Sequence, residues 1–278
     1  LWATVDGVGR VLALFLPVKI TVLNGLLRPF TTRAVVFGSA LCVAGPEGTQ
    51  ALALLLKAYN RAIKRSVLFT ELRNVSDLSD LQPLLNENGF VSEGHLNFLI
   101  DVTRPETELW QQVCSSAHRN IQKARKSGVI IEEISDPNEM PAAYAVLRNV
   151  YKRIHVPLPD PSLFQAAFEI LRPAGMLRVL IARQNGAIIG VLFLLLHNGV
   201  ATYWYTGCLR EYASHRPADL LVWSALQSCQ QSGCHTFDFG GAGRLDEEYG
   251  VRNFKAKYGG QLVNFGRKSV ALCLPLVT

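Results

Sequence analysis

A helix that crosses a bilayer needs about 20 consecutive apolar residues, and this 278-residue chain has no such run. The stretch from Val11 to Val18 is interrupted by Pro17 and stops at Lys19, and the stretch from Ala187 to Leu196 stops at the turn signal His197-Asn198-Gly199. Both read as buried strands, so no transmembrane segment is expected. Charge is sparse too: 18% of residues are charged against 49% hydrophobic, which excludes a disordered chain. The six cysteines, Cys42, Cys114, Cys208, Cys229, Cys234 and Cys273, are scattered mostly among apolar neighbours, as in a reducing compartment, and a cytoplasmic location is expected. Cys229, Cys234 and His235 form the single cluster, but zinc needs a second ligand pair at comparable spacing and none exists, so no metal is expected. Methionine is missing from position 1, where Leu1 stands. The chain therefore reads as a fragment that could have lost a signal or transit peptide.

What is present is enough length for two domains or one large one. Short apolar runs and turn residues at Asn24-Gly25 and Arg28-Pro29 predict antiparallel strands between Arg10 and Gly38. A helix over 48–64, a strand over 66–73, a helix over 78–88 and a strand over 96–101 follow. Thr103-Arg104-Pro105-Glu106 reads as a capping box opening a helix to about Ser127, with Trp110, Val113, Ala117, Ile121 and Ala124 as its apolar stripe. Arg119, Lys123 and Lys126 recur at spacings of four and three on one side of that helix. They form either a solvated basic face or an anion-binding one. Helices over 141–154 and 162–171 precede strands over 177–183, 187–196 and 200–207, with hairpin turns at Asn185-Gly186 and Asn198-Gly199. A helix over 217–232 leads into a strand over 236–239. The similar order of elements in the two halves suggests a duplicated α/β unit.

The segment least like ordinary core is Asp238-Phe239-Gly240-Gly241-Ala242-Gly243, followed by Tyr249-Gly250-Val251-Arg252-Asn253-Phe254-Lys255 and Tyr258-Gly259-Gly260. Glycines this dense after a strand permit close backbone approach to a ligand. The third glycine of the dinucleotide fingerprint is absent, as is the glycine-lysine-serine or threonine end of a P-loop. His118, His155 and His215 have no serine or cysteine nucleophile at a telling spacing, so a hydrolase triad is unsupported. Strand alternation sends Tyr203 and Tyr205 to one face and Trp204 to the other, which makes the two tyrosines candidates to line a binding cleft. Asp238 reads as a loop organiser ahead of its glycines, with a base or a partner to Lys255 as alternatives. Glu247 and Glu248 lie in the same loop.

In order along the chain, Glu71-Leu72-Arg73, His118-Arg119-Asn120-Ile121-Gln122-Lys123-Ala124, the helix after Pro217, Asp238-Phe239-Gly240-Gly241, Phe254-Lys255 and Tyr258-Gly259-Gly260 resemble the FemAB-type peptidoglycan-bridge aminoacyltransferases and their acyltransferase relatives. The resemblance covers nearly the whole chain. It implies two N-acetyltransferase-like (GNAT-like) domains in tandem, α/β with mixed sheets and flanking helices, and an acceptor in a cleft between them. The first would span 1–102, completed by the tail 266–278, and the second 103–265. The resemblance also implies an aminoacyl-tRNA donor, a peptidoglycan precursor or other envelope amine as acceptor, no bound cofactor, and peripheral contact with the inner membrane face. It puts Phe254 and Lys255 in the transfer step; the chemistry of acyl transfer, which needs a positive or hydrogen-bonding group where the oxyanion develops, makes Lys255 the candidate for that group, with Asp238 as a further catalytic candidate. Tyr203, Tyr205, Gly240, Gly241, Arg119, Lys123 and Lys126 are the expected substrate contacts. The long helical arm of some members has no counterpart, and Ala218-Asp219 stand where an aromatic acceptor contact is expected. The pyrophosphate loop of acetyl-CoA-dependent relatives, Arg/Gln-x-x-Gly-x-Gly/Ala, has no match; the nearest string, Arg183 to Ile188, lies in a hairpin. An acyl-CoA-dependent N-acyltransferase and a non-catalytic binding module remain the alternatives.

Overall fold

The computed structural model describes residues 1–23, 25–247 and 249–271. Asn24, Glu248, Cys273 and the rest of the tail past Ala271 lie outside the described residues.

In chain order the elements are β1 (Trp2–Val5), β2 (Val11–Phe15), β3 (Pro17–Thr21), β4 (Thr32–Gly38), β5 (Leu41–Cys42), α1 (Pro46–Ile63), β6 (Phe69–Asn74), α2 (Gln82–Glu87), β7 (Val91–Glu93) and β8 (Leu96–Asp101). Then come α3 (Glu106–Gln112), α4 (Ser115–Lys126), β9 (Ile130–Glu133), α5 (Met140–Arg153), α6 (Pro161–Leu171), β10 (Leu177–Gln184), β11 (Ala187–His197) and β12 (Val200–Cys208). The chain closes with α7 (Pro217–Gln231), β13 (Thr236–Gly241), α8 (Gly250–Lys255), β14 (Gln261–Asn264) and β15 (Arg267–Ala271). The described residues form two compact units, one of 1–96, 244–247 and 264–271, the other of 97–243 and 249–263.

The first unit holds a three-stranded sheet, β1-β2-β5, and a five-stranded mixed sheet in the order β3-β4-β6-β15-β7, with β4 and β6 parallel. Helix α1 has apolar residues three and four apart, so one face buries Leu52, Leu55, Leu56, Tyr59 and Ile63. Tyr59 takes Phe15 edge-on at 4.9 Å and shares a hydrogen bond with Thr70 at 2.8 Å. Arg28-Pro29 is not a separate turn, because it lies inside a 3-10 helix over Gly25–Phe30.

The second unit is built on a seven-stranded mixed sheet ordered β14-β8-β13-β12-β11-β10-β9, in which β12 and β13 run parallel. Leu96–Asp101, given to the first domain by the sequence reading, pairs with β13 here. The hairpins β10–β11 and β11–β12 turn at Asn185-Gly186 and Asn198-Gly199, all four residues at positive φ, the geometry that selects asparagine and glycine. Helices α5 and α6 cover one face with Leu147, Phe164 and Phe168 against Val191 and Phe193. Helix α7 lies on the other face, where its Leu221 comes so close to Gly190 that a Cβ there would meet it at 3.0 Å.

The helix expected from Thr103 to Ser127 is two helices. Thr103 donates its hydroxyl to Asp101 instead of capping, and Pro105 takes the N-cap position of α3. Val113 and Cys114 are extended, and the Cys114 amide donates to the Lys257 carbonyl at 2.7 Å. A partner so distant in the chain is invisible to local periodicity.

Candidate active site

Strands β12 and β13 pair only over Val200–Thr202 and Thr236–Asp238. Beyond that they part, although β12 continues to Cys208. On its other side β13 also loses register with β8 between Asp238 and Gly241. The carbonyls of this stretch therefore lack a regular ladder and must find other donors. Lys255, at the end of α8, supplies them: its Nζ donates to Phe239 O at 2.5 Å and to Gly241 O at 2.8 Å. The ammonium also lies 5.7 Å from the ring centres of Tyr203 and Phe239. It is 5% exposed. Burial pushes its pKa down to about 8, against the opposing pull of Asp238.

Asp238 is buried on β13 and accepts the Gly240 amide at 2.7 Å and Asn97 Nδ2 at 3.4 Å. Burial raises its pKa, outweighing those hydrogen bonds and the nearby Lys255. Its bond to Gly240 holds the chain where Gly240 adopts φ 68°, a left-handed conformation that favours glycine. Phe254 is half-buried and meets Tyr258 edge-on at 5.5 Å. Lys255, Asp238, Tyr203, Gly240 and Gly241 thus come together around the open end of β13, with Phe254 one aromatic ring away.

Tyr205 does not join them. Phe193 pairs with Tyr205 and the adjacent Leu194 with Tyr203, so Trp204 is the extra residue of a β-bulge. The bulge breaks the alternation on which the sequence reading relied. Tyr203 faces Phe237 and Phe239, whereas Trp204 and Tyr205 both pack on Phe164 under α6. Arg119, Lys123 and Lys126 are exposed on α4, whose Ala117, Ile121 and Ala124 are buried. Arg125 adds a fourth exposed cation to the helix end. Gly259 and Gly260 serve packing. A Cβ on Gly259 would come within 3.0 Å of Gln112, and one on Gly260 within 2.7 Å of the Leu99 carbonyl.

Sequence reading gave no role to Tyr258, Asp219, Asn120 or Cys114. Tyr258 is buried against Phe239 and donates its hydroxyl to Asp219 at 3.0 Å, and Asn120 donates to the same carboxylate oxygen at 3.2 Å. Asp219 thereby occupies, buried, the first turn of α7 and ties that helix to α4. Cys114 sits at the N-cap of α4; burial raises its thiol pKa, but the Ser116 hydroxyl and the Ala117 and Ser116 amides outweigh it and the net shift is downward. The motif order pointed at Tyr258 without giving it a partner, and nothing in local sequence links it to Asp219. Among the described residues no group of His, Cys, Asp or Glu side chains is placed to hold a metal ion.

Comparison with known proteins places the fold that carries these residues. The acetyltransferase (GNAT) domain family matches residues 112–255. No curated protein matches the chain. Among solved structures, FemX superposes with a TM-score of 0.70 at 15% identity, covering 96% of this chain and 87% of its own. L-PGS from Bacillus licheniformis gives 0.65 at 12%, with 99% and 85% coverage. A GCN5-related N-acetyltransferase from Sphaerobacter thermophilus gives 0.55 at 12%, with 97% and 80% coverage. At these identities the likeness is one of fold, and the FemAB-type resemblance holds at that level.

Proposed function

Because the chain belongs to the acetyltransferase (GNAT) domain family, we propose that this acyltransferase moves an aminoacyl group from aminoacyl-tRNA to an amine of a peptidoglycan precursor or related envelope acceptor. The observation that carries the reading is the buried Lys255 ammonium at the open end of β13. In such a transfer the neutral acceptor amine attacks the ester carbonyl, a C–N bond forms, and negative charge develops on the carbonyl oxygen. The C–O bond to the ribose then breaks, and the amine proton ends on the departing hydroxyl. Two of the three Lys255 N–H groups are held by Phe239 and Gly241, which aims the third. A preorganised cation in a dry site stabilises the oxyanion far better than one in water. Asp238 holds the strand end in shape, and Tyr203 forms the aromatic wall beside the cation.

Two features favour aminoacyl-tRNA over acyl-CoA as donor. The Asp219 carboxylate already occupies the first turn of α7, where a diphosphate would otherwise find the positive end of a helix. The exposed cations of α4 suit a polyanionic donor. FemX and L-PGS as fold neighbours are in keeping with aminoacyl transfer in the cell envelope. The test is transfer of labelled amino acid from charged tRNA to a lysine- or alanine-bearing envelope precursor by the purified chain, with acyl-CoA as the competing donor. Turnover with acyl-CoA alone would replace the donor in this reading, and turnover with neither would remove the catalytic role.

A further inference from the structure

The connection between β3 and β4 is an exposed apolar feature of the first unit. Val22, Leu23, Leu26, Leu27 and Phe30 are all exposed, Leu26 at 94% and Phe30 at 65%. Val18, on the edge strand β3, continues the apolar surface. Isolated exposed apolar residues are ordinary, but this many in one short connection mark an interaction site.

Two further observations identify the partner. From Gly7 to Pro46 the chain contains Arg10, Lys19, Arg28 and Arg33 but no aspartate or glutamate. Lys19 and Arg28 are exposed at the loop and form no ion pair with any described residue. The loop also pairs part of its own backbone. The single Thr31 hydroxyl proton lies within reach of the Leu23 and Leu27 carbonyls at 3.1 and 3.2 Å and can serve one of them at a time, Thr32 Oγ1 donates to the Arg28 carbonyl at 2.7 Å, and the Leu23 amide donates to Thr31 Oγ1 at 3.1 Å. Internal pairing of this kind lowers the cost of taking backbone out of water. A loop that is apolar, partly self-paired and basic at its edges fits an anionic lipid surface, whereas pairing it with its own copy would set like charges against each other.

We propose that the β3–β4 loop is a peripheral membrane anchor. Leu23, Leu26, Leu27 and Phe30 enter the interfacial region of an anionic bilayer, and Lys19 and Arg28 contact its headgroup phosphates. The proposal concerns the first unit alone and is independent of the reaction in the second.

Co-sedimentation of the full chain with vesicles tests it. Binding is expected to vesicles of equal parts phosphatidylcholine and phosphatidylglycerol, weaker binding to phosphatidylcholine alone, and a decline with added salt. The triple variant Leu26→Ser/Leu27→Ser/Phe30→Ser is expected to bind anionic vesicles at least about tenfold more weakly. Its thermal melting should match the parent, since all three side chains are exposed. Arg28→Glu is expected to weaken binding to anionic vesicles and leave the neutral ones unchanged. No binding by the parent to either vesicle, or parent-like binding by the triple variant, would overturn the anchor. A concentration-dependent dimer abolished by the triple variant, without vesicle binding, would assign the patch to a second copy instead.

Discussion

Lys255 satisfies two strand-end carbonyls, and in the proposed reaction it must also present one charged N–H. Lys255→Met removes both. Losing a preorganised cation at an oxyanion costs about 3 kcal/mol, so turnover is expected to fall by roughly a hundredfold. Stability should change far less, because the carbonyls left unpaired are offset by the end of the ammonium's desolvation. Parent-like turnover in a steady-state assay would take Lys255 out of the mechanism. With a pKa of about 8, the group loses its charge as pH rises through that value, and transfer that depends on the cation should decline above it. The effect on folding has the opposite sense. A lysine whose pKa is lower folded than unfolded binds fewer protons in the native state between about 8 and its ordinary value of 10.5, so its contribution to stability improves across that window as pH rises. His95 shows the acid-side counterpart. Burial, with Arg267 and Arg73 adding to it against Glu71, depresses its pKa to about 4 from 6.5. The unfolded chain therefore takes up this proton first as pH falls below 6.5, and the native state loses about 1–3 kcal/mol by pH 4, discounted for partial exposure. Denaturant titrations of the parent and of His95→Gln across that range should diverge by this amount.

Elements decide which side chains reach the site. The bulge at Trp204 separates two tyrosines that a regular strand would put side by side, and the two should respond differently to substitution. Tyr205→Leu is expected to lower stability by about 1–3 kcal/mol, through lost ring packing on Phe164 and Tyr151, with kcat unchanged. Tyr203→Leu is expected to lower kcat, because it strips the wall beside Lys255. Equal kinetic effects of the two would place the bulge wrongly. Helix α4 divides labour by face: Asn120 turns inward to Asp219 while Arg119, Lys123 and Lys126 stay exposed. Reversing those three charges should weaken tRNA binding, flatten its steep salt dependence and leave melting unchanged, since none of the three packs in the core. Filter binding at several salt concentrations reads this directly.

For the whole molecule the decisive measurement is which donor the chain recognises. Calorimetric titration is expected to give little heat with acetyl-CoA and clear binding with a charged tRNA or a stable analogue of its aminoacylated 3′ end. Saturable micromolar binding of acetyl-CoA, competed by desulfo-CoA and without any response to tRNA, would transfer the activity to the acyl-CoA class. The net charge of +6 favours encounter with polyanions generally, so a neutral-polymer control and a salt series are needed to separate specific from diffuse attraction.

Much of this architecture was legible in the chain itself. Positive-φ turns demand asparagine and glycine, so Asn185-Gly186 and Asn198-Gly199 announced their hairpins, and the one-sided spacing of Leu52, Leu55, Leu56 and Tyr59 announced α1. Such signals depend on a residue and its neighbours within a turn or two. The order of motifs likewise singled out Asp238 and Lys255, which the fold brings together at the end of β13. Tertiary structure alone decided the rest. The helix break at Cys114 needs the Lys257 carbonyl, the Trp204 bulge needs the register of β11, and the buried Asp219 needs Tyr258 and Asn120. None of these partners lies within the turn or two that local patterning reads, and their demands are met only when folding brings them together. What Lys255 touches belongs to the same class, because a lysine in sequence is a charge without an address and the open end of β13 gives it one.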